Sequence, residues 1–392
     1  MPGPSAARRE KHRIYLLPGF FGFANLGEIV YFGHVYDTLK DELARRGVEA
    51  EVFHVLSHPT ASIRTRAADL LAELAKTGGD DDGPIHLIGH STGGLDARLF
   101  VTPGVNLGSP AELSGLPPPE RFAQRVRTVV CVATPHKGTG TAQFFSGLMG
   151  AKLLGLLSLF TVYILRFGRL PLGYLLKVVG AVVKVDSLLG WRETIVDQLF
   201  KELLEDFSAD RRTALSTFLS QVSRDQSLVT QLTPAGIDLF NAGVAPREGI
   251  RYGSVVTQAR PPSLRTRLST GLDPYAQGSH NLYAFLHGRA RTQAPPLSEA
   301  HQDALLQAYG IVPDERAADG IVPTLSQPFG EIIAAVWADH LDIIGHFDAP
   351  EHRPPHVDWL ISATGFRRPE FLDVWRRVTD FLLREDGGET SA

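Results

Sequence analysis

Cysteine is all but missing from this chain. Of 392 residues only Cys131 carries a thiol, so an internal disulfide is excluded. That one cysteine falls in Val126-Arg-Thr-Val-Val-Cys-Val-Ala133, a stretch that reads as a buried strand and gives the thiol a packing role. Basic blocks are missing as well. The 39 Lys and Arg residues stand against 43 Asp and Glu for a net charge of −4, with no cluster long enough to grip nucleic acid. The N-terminus, Met1 to Arg13, is polar and lacks the apolar region of a secretory signal, so a cytoplasmic protein is expected. Leu153 to Leu165 carries no charge, but its thirteen residues fall short of the roughly twenty that a bilayer span needs. There is no internal repeat and no clean linker, so residues 1–392 read as one domain.

What is present points to chemistry. Hydrophobic residues make up 43% of the chain and charged residues 21%, enough for a full core. In Pro84-Ile-His-Leu-Ile-Gly-His-Ser-Thr-Gly-Gly94 a short apolar strand meets Gly-x-Ser-x-Gly, and a helix-compatible run, Leu95 to Phe100, follows. A serine on a strained strand-to-helix turn stands clear of the sheet, and Gly89 and Gly93 relieve crowding on either side of it. The Thr92 amide opens the helix and points where an oxyanion would form. Around this turn strands and helices alternate. Strands are expected at Ile14–Leu17, Glu51–Leu56 and Ile250–Thr257, and helices at Tyr36–Arg46, Ile63–Lys76, Ala209–Leu219, Ser298–Tyr309 and Phe371–Leu383. That alternation predicts an α/β fold with a mostly parallel sheet.

Three stretches, in this order, carry a resemblance: Pro18-Gly-Phe-Phe-Gly22 after the first strand, Gly89-His-Ser-Thr-Gly-Gly94 at the turn, and Ala133-Thr-Pro-His-Lys-Gly-Thr139 after the next strand. Together they resemble bacterial triacylglycerol lipases and esterases of the α/β-hydrolase fold. The likeness spans residues 14 to 145, resumes near 230 and does not cover the middle. It implies a second oxyanion amide at Phe20, although Pro18 stands where such enzymes usually have histidine. It implies the chain order serine, acid, histidine, which removes the histidines before Ser91 and His136 from the base role. His280, His287 and His301 lie in an insertion or the helix after it, leaving His340, His346, His352 and His356.

Asp319-Gly-Ile-Val-Pro323 is the favoured acid, since the glycine permits a tight turn, and it matches the acid loop of the resembled lipases; Asp314 is the runner-up. Asp339-His-Leu-Asp342 looks like the Asn-His-Leu-Asp that holds the lipase histidine, so His340 is favoured as base over His346. The same resemblance puts two calcium-binding carboxylates at Asp342 and Asp273, a structural option only, since no cofactor is required for catalysis. The apolar segment 143–204 lies where these lipases carry a lid, which implies transient contact with a lipid surface; a permanently packed cap is the alternative. Residues 261–296, rich in Ser, Gly, Pro and Arg, read as a loop insertion.

The expected function is hydrolysis of carboxylic esters with apolar acyl chains, Ser91 as nucleophile, His340 as base, Asp319 as acid, and Phe20 and Thr92 as oxyanion donors. Two rivals stay open. An acyltransferase would use the same triad with an alcohol in place of water, and a lipid-binding module would keep the fold without the chemistry.

Overall fold

A computed structural model describes residues 10–20, 31–79, 83–146, 155–157, 159–160, 163, 167–183, 192–291, 296–349, 358 and 360–384. Among them, strands β1 (His12–Leu17), β2 (Ala50–His54), β3 (Ile85–His90), β4 (Val126–Val132), β5 (Arg251–Gln258) and β6 (Glu331–Trp337) form one sheet, ordered β2-β1-β3-β4-β5-β6. Every neighbouring pair is parallel. The first helices are α1 (Gly33–Arg45), α2 (Ile63–Thr77), α3 (Gly93–Val101), α4 (Glu120–Ala123) and α5 (Gly140–Phe145). Then come α6 (Leu172–Val183), α7 (Arg192–Glu205), α8 (Ala209–Arg224), α9 (Ser227–Gln231) and α10 (Pro234–Gly243). After β5 lie α11 (Leu264–Ser269), α12 (Pro274–His287) and α13 (Glu299–Tyr309), and α14 (Arg368–Leu383) closes the fold. The winding direction reverses between β1 and β3. At such a reversal the C-terminal strand ends part and leave a crevice.

Helices cover both faces of the sheet, which is why its central strands read as continuous apolar runs. Ile14, Leu16, Ile88, Val130 and Val132 face one side, with Phe371 and Trp375 of α14. Tyr15, Leu17, Leu87, Val129 and Cys131 face the other, with Leu70, Leu71 and Leu74 of α2 and Phe100 of α3. Cys131 is therefore core, and burial pushes its thiol up to about 12.

Two elements differ from the sequence reading. β6 was not anticipated. It is an edge strand, mostly half-buried, and its apolar run from Ile332 to Trp337 went unassigned. The stretch 261–296 is not a plain loop, because α11 and α12 occupy much of it. Ser263 and Thr266 form a capping box on α11, Asp273 caps α12 through Tyr275 and Ala276 N–H, and Pro274 fits the first helical position. In the apolar segment, Leu156, Leu157, Leu159 and Phe160 are buried in the same cluster as the sheet face of Ile88 and Val130. No helix among the described residues is long and apolar enough to cross a membrane. Residues 153–154, 158, 161–162 and 164–165, the first nine residues, the turn 80–82, His352 and His356 lie outside the described residues.

Candidate active site

Ser91 follows β3 directly, with φ +54°, a left-handed backbone that a serine adopts only when its surroundings impose it. Its N–H donates to the Val132 carbonyl at 2.8 Å, which ties the turn to β4. The flanking glycines are required by contact. A Cβ on Gly89 would lie 2.2 Å from the Gly93 carbonyl carbon, and one on Gly93 would lie 2.2 Å from the Leu17 oxygen. Thr92 is the N-cap of α3, so its amide stands at the positive end of that helix.

The turn after β1 presses against this serine. A Cβ at Gly19 would meet the Ser91 Cβ at 2.7 Å. Arg66 of α2, fully buried, donates to the Pro18 carbonyl at 2.6 Å and pairs with Asp96 of α3 at 2.8 Å. Burial raises the Asp96 carboxyl to about 6, against the pull of the Arg66 guanidinium. Phe20 then borders the cavity in front of Ser91.

Asp319 is reached from the far side. Ala318 and Pro323 bridge across its turn, Gly320 takes φ +100°, and the Ala259 N–H beyond β5 donates to the Ala318 carbonyl. Five donors converge on its fully buried carboxylate. Oδ1 accepts from Ile321 N–H at 3.0 Å and Val322 N–H at 2.8 Å. Oδ2 accepts from Thr257 Oγ1 at 2.8 Å, Gln327 Nε2 at 3.3 Å and His340 Nδ1 at 2.8 Å. A carboxylate only accepts here, so His340 carries its proton on Nδ1 and leaves Nε2 bare. His340, in the turn after β6, also donates its N–H to the Asp319 carbonyl at 3.0 Å. Ser91 and His340 line one cavity of about 50 Å³, with Phe20, Leu157, Leu286 and Ile321 among its walls.

Sequence reasoning set His90 aside, and the structure gives it a different place. His90 Nε2 lies 2.9 Å from the His340 carbonyl, and its Nδ1 lies 2.6 Å from the Tyr31 hydroxyl. A carbonyl cannot donate, so Nε2 holds the hydrogen and Nδ1 accepts from Tyr31. The Tyr31 oxygen in turn accepts the Gly19 N–H at 3.2 Å. One directed chain thus runs Gly19, Tyr31, His90, His340, joining the turn after β1 to the turn after β6. Burial and the neighbouring His340 ring hold the His90 pKa well below its ordinary value, so the ring is neutral, as the chain requires. Tyr31, Thr257 and Gln327 carried no motif that would have singled them out.

The other candidates go elsewhere. His346 Nε2 pairs with the Tyr31 carbonyl at 3.2 Å, not with Asp319. His136 accepts from Arg98 at 3.0 Å, and its turn is tied to Ser326 and Asn241. His280 and His301 bond to the carbonyls of Ile361 and Gly330. Asp314 caps the Arg316 N–H of its own turn.

Nor does Asp273 join Asp342. Asp273 caps α12 and faces Arg169 at 3.8 Å, while Asp342 gathers with Asp339 and Asp358, their oxygens within 4.8 Å of one another. Asp339 accepts from Leu341 N–H, Asp342 N–H and Ser362 Oγ, and Asp342 Oδ2 from Asp339 N–H and Thr364 Oγ1. Burial first, then mutual repulsion, raises the Asp342 and Asp358 carboxyls well above their ordinary value. Such oxygens suit a hard divalent cation in kind, though three carboxylates do not complete a calcium shell.

No known family profile matches this chain, and no curated protein sequence does. Solved structures do match. EstA from Clostridium botulinum aligns over 93% of this chain and 88% of its own at 19% identity, with a TM-score of 0.50. Lipase 1 from Pelosinus fermentans aligns over 96% of this chain and 100% of its own at 17% identity, with a TM-score of 0.52. Identity that low speaks to architecture alone, and the architecture is plain: this chain has the α/β-hydrolase fold and is similar in it to bacterial esterases and lipases.

Proposed function

We propose that the protein is a serine hydrolase of carboxylic esters with apolar acyl chains. The observation that carries this reading is Ser91, held at φ +54° on the rim of an apolar cavity that it shares with His340, whose Nδ1 is fixed by Asp319. In the reaction, Ser91 Oγ attacks the ester carbonyl carbon while its proton passes to His340 Nε2. The imidazolium is stabilised by the Asp319 carboxylate, and the amides of Phe20 and Thr92 receive the oxyanion. Collapse of the tetrahedral intermediate breaks the bond to the alcohol, which takes the proton from His340. Water then repeats the sequence on the acyl-enzyme, releasing the acid and restoring Ser91. A calcium ion, where bound, would be held by Asp339, Asp342 and Asp358 and would supply charge neutralisation beside the His340 turn. No step of the ester chemistry passes through it.

The covering segment acts as a lid in this reading. Leu157 borders the cavity, so movement of that segment would change access to Ser91. The test is covalent labelling with a fluorophosphonate probe and mapping of the modified residue, alongside release of p-nitrophenol from short esters. Label on Ser91 with turnover is expected; label elsewhere, or none, overturns the reading. Adding an alcohol to the same assay separates hydrolysis from acyl transfer by its products.

A further inference from the structure

Between Ala259 and Arg291 the chain carries five arginines against one aspartate, on a protein whose net charge is −4. The same stretch exposes leucines to an unusual degree: Leu264 by 77%, Leu268 by 71% and Leu272 by 95%. A single exposed leucine means little, but three within nine residues form a patch. Leu264 and Leu268 sit one turn apart on α11 and so share a face. Arg265 and Arg267, both exposed, alternate with them.

This is not a slack loop. The Ser263–Thr266 capping box fixes the start of α11, and Gln277 of α12 donates to the carbonyls of Arg267 and Gly271 and to Thr270 Oγ1. The leucines are held outward on a fixed frame. The patch also continues toward the cover. Gly278 of α12 lies against Leu175 and Leu176 of α6, and α6 exposes Leu172 and Leu176. Arg169 stacks on the Tyr275 ring of α12 at 4.5 Å. On its other side α12 presents Leu286 to the Ser91 cavity.

We propose that this Leu–Arg rim, centred on Leu264, Leu268 and Leu272, docks the protein on a lipid surface with anionic headgroups. The pattern fits that partner. Apolar side chains that alternate with arginines insert at the acyl boundary while the guanidinium groups meet phosphate. A net charge of −4 gives the molecule as a whole no attraction to an anionic surface, so the rim also sets the orientation and brings the α12 wall of the cavity to the lipid. Delivery of a lipid ester to the cavity rests on the ester-hydrolase reading; the docking itself does not.

The test uses the full chain carrying Ser91→Ala, so that vesicle lipid is not consumed, and co-sedimentation with vesicles of phosphatidylcholine alone or mixed with phosphatidylglycerol. Binding that favours the anionic vesicles and weakens with salt is expected. Leu264→Ser, Leu268→Ser and Leu272→Ser together should lower the partition by about tenfold or more. Arg265→Gln with Arg267→Gln should erase the preference for anionic vesicles. With Ser91 restored, the leucine triple variant should hydrolyse a short soluble ester at the original rate. An unchanged partition in the leucine variant overturns the proposal. So does light scattering that shows a dimer which the leucine substitutions convert to a monomer, because the rim would then be a protein interface. Vesicle binding by a protein that hydrolyses no ester would sink the enzymatic reading and leave the docking surface standing.

Discussion

Around Asp319 five donors meet one buried carboxylate, whereas Leu156, Leu157, Leu159 and Phe160 pack by apolar surface into the cluster that holds Ile88 and Val130. The first arrangement is directional. A shift of a few tenths of an ångström breaks a hydrogen bond, and each partner must be a particular residue type. The second is not directional, because dispersion and water exclusion accept any well-filling apolar side chain. The rim of the sheet is therefore built for fixed positions and the cover for closure. Substitutions in the rim should change the rate with little change in stability, and substitutions in the cover should change selectivity and stability together.

The largest effect tests the rim. Ser91→Ala should lower kcat on a p-nitrophenyl ester by roughly a millionfold while the melting temperature stays near the original value. Asp319→Asn should cost roughly ten-thousandfold, because an amide can donate to His340 Nδ1 and favours the wrong tautomer. His340→Ala should be as damaging as Ser91→Ala, and His346→Ala mild. Steady-state kinetics with melting curves decide it. A dead His346→Ala beside an active His340→Ala would move the base to the Gly345 turn.

Next comes the chain of hydrogen bonds from Gly19 to His340. Tyr31→Phe removes the hydroxyl that joins the Gly19 amide to His90, so the turns bearing Phe20 and His340 lose their common strut. We expect kcat to fall by about tenfold to a hundredfold with KM nearly unchanged, since misplacement of this size acts on the transition state. A purely structural contribution would instead lower the melting temperature and leave kcat of the folded protein intact.

The cover should respond differently. Leu157 is buried and borders the cavity. Leu157→Ala should cost about 3 kcal/mol of stability and shift the ratio of long-chain to short-chain kcat/KM by roughly tenfold. A loss that strikes both ester lengths equally would mean that the cover is structural only.

The same contrast decides what could be read in advance. The turn at Ser91 was legible because backbone strain writes glycines at fixed offsets, and the turn at Asp319 because Gly320 follows it. Tyr31 and His90 are 59 residues apart and Thr257 and Gln327 are 70 apart, so their meetings belong to the fold and leave no local pattern. α12 was hidden by the Ser, Gly and Arg around it, although Asp273-Pro274 is itself a helix start. The fold class came through whole, since strands that alternate with helices admit few other topologies.

The smallest expected effect concerns acid. Residues 143–204 contain no histidine, whereas the sheet holds His86 and His90 at β3 and His136 after β4, all buried. Burial, with smaller contributions from His12 and nearby arginines, lowers the His86 pKa to about 3. The unfolded chain therefore takes up this proton first as pH falls below about 6.5. The stability that His86 contributes as a neutral ring is complete above that pH and declines as pH falls, until the folded form also protonates near about 3. At pH 5 the loss is about 2 kcal/mol from this one ring. Other buried groups titrate with the opposite sign, Asp96 among them, so the measurement is a difference. His86→Gln keeps a polar side chain near Thr128 Oγ1 and cannot charge. Denaturant midpoints of the two proteins should converge by about 2 kcal/mol between pH 7 and pH 5, relative to their separation at pH 7. Parallel curves across that interval would mean that His86 is charged in the fold and that the acid weakness of the sheet lies in another group.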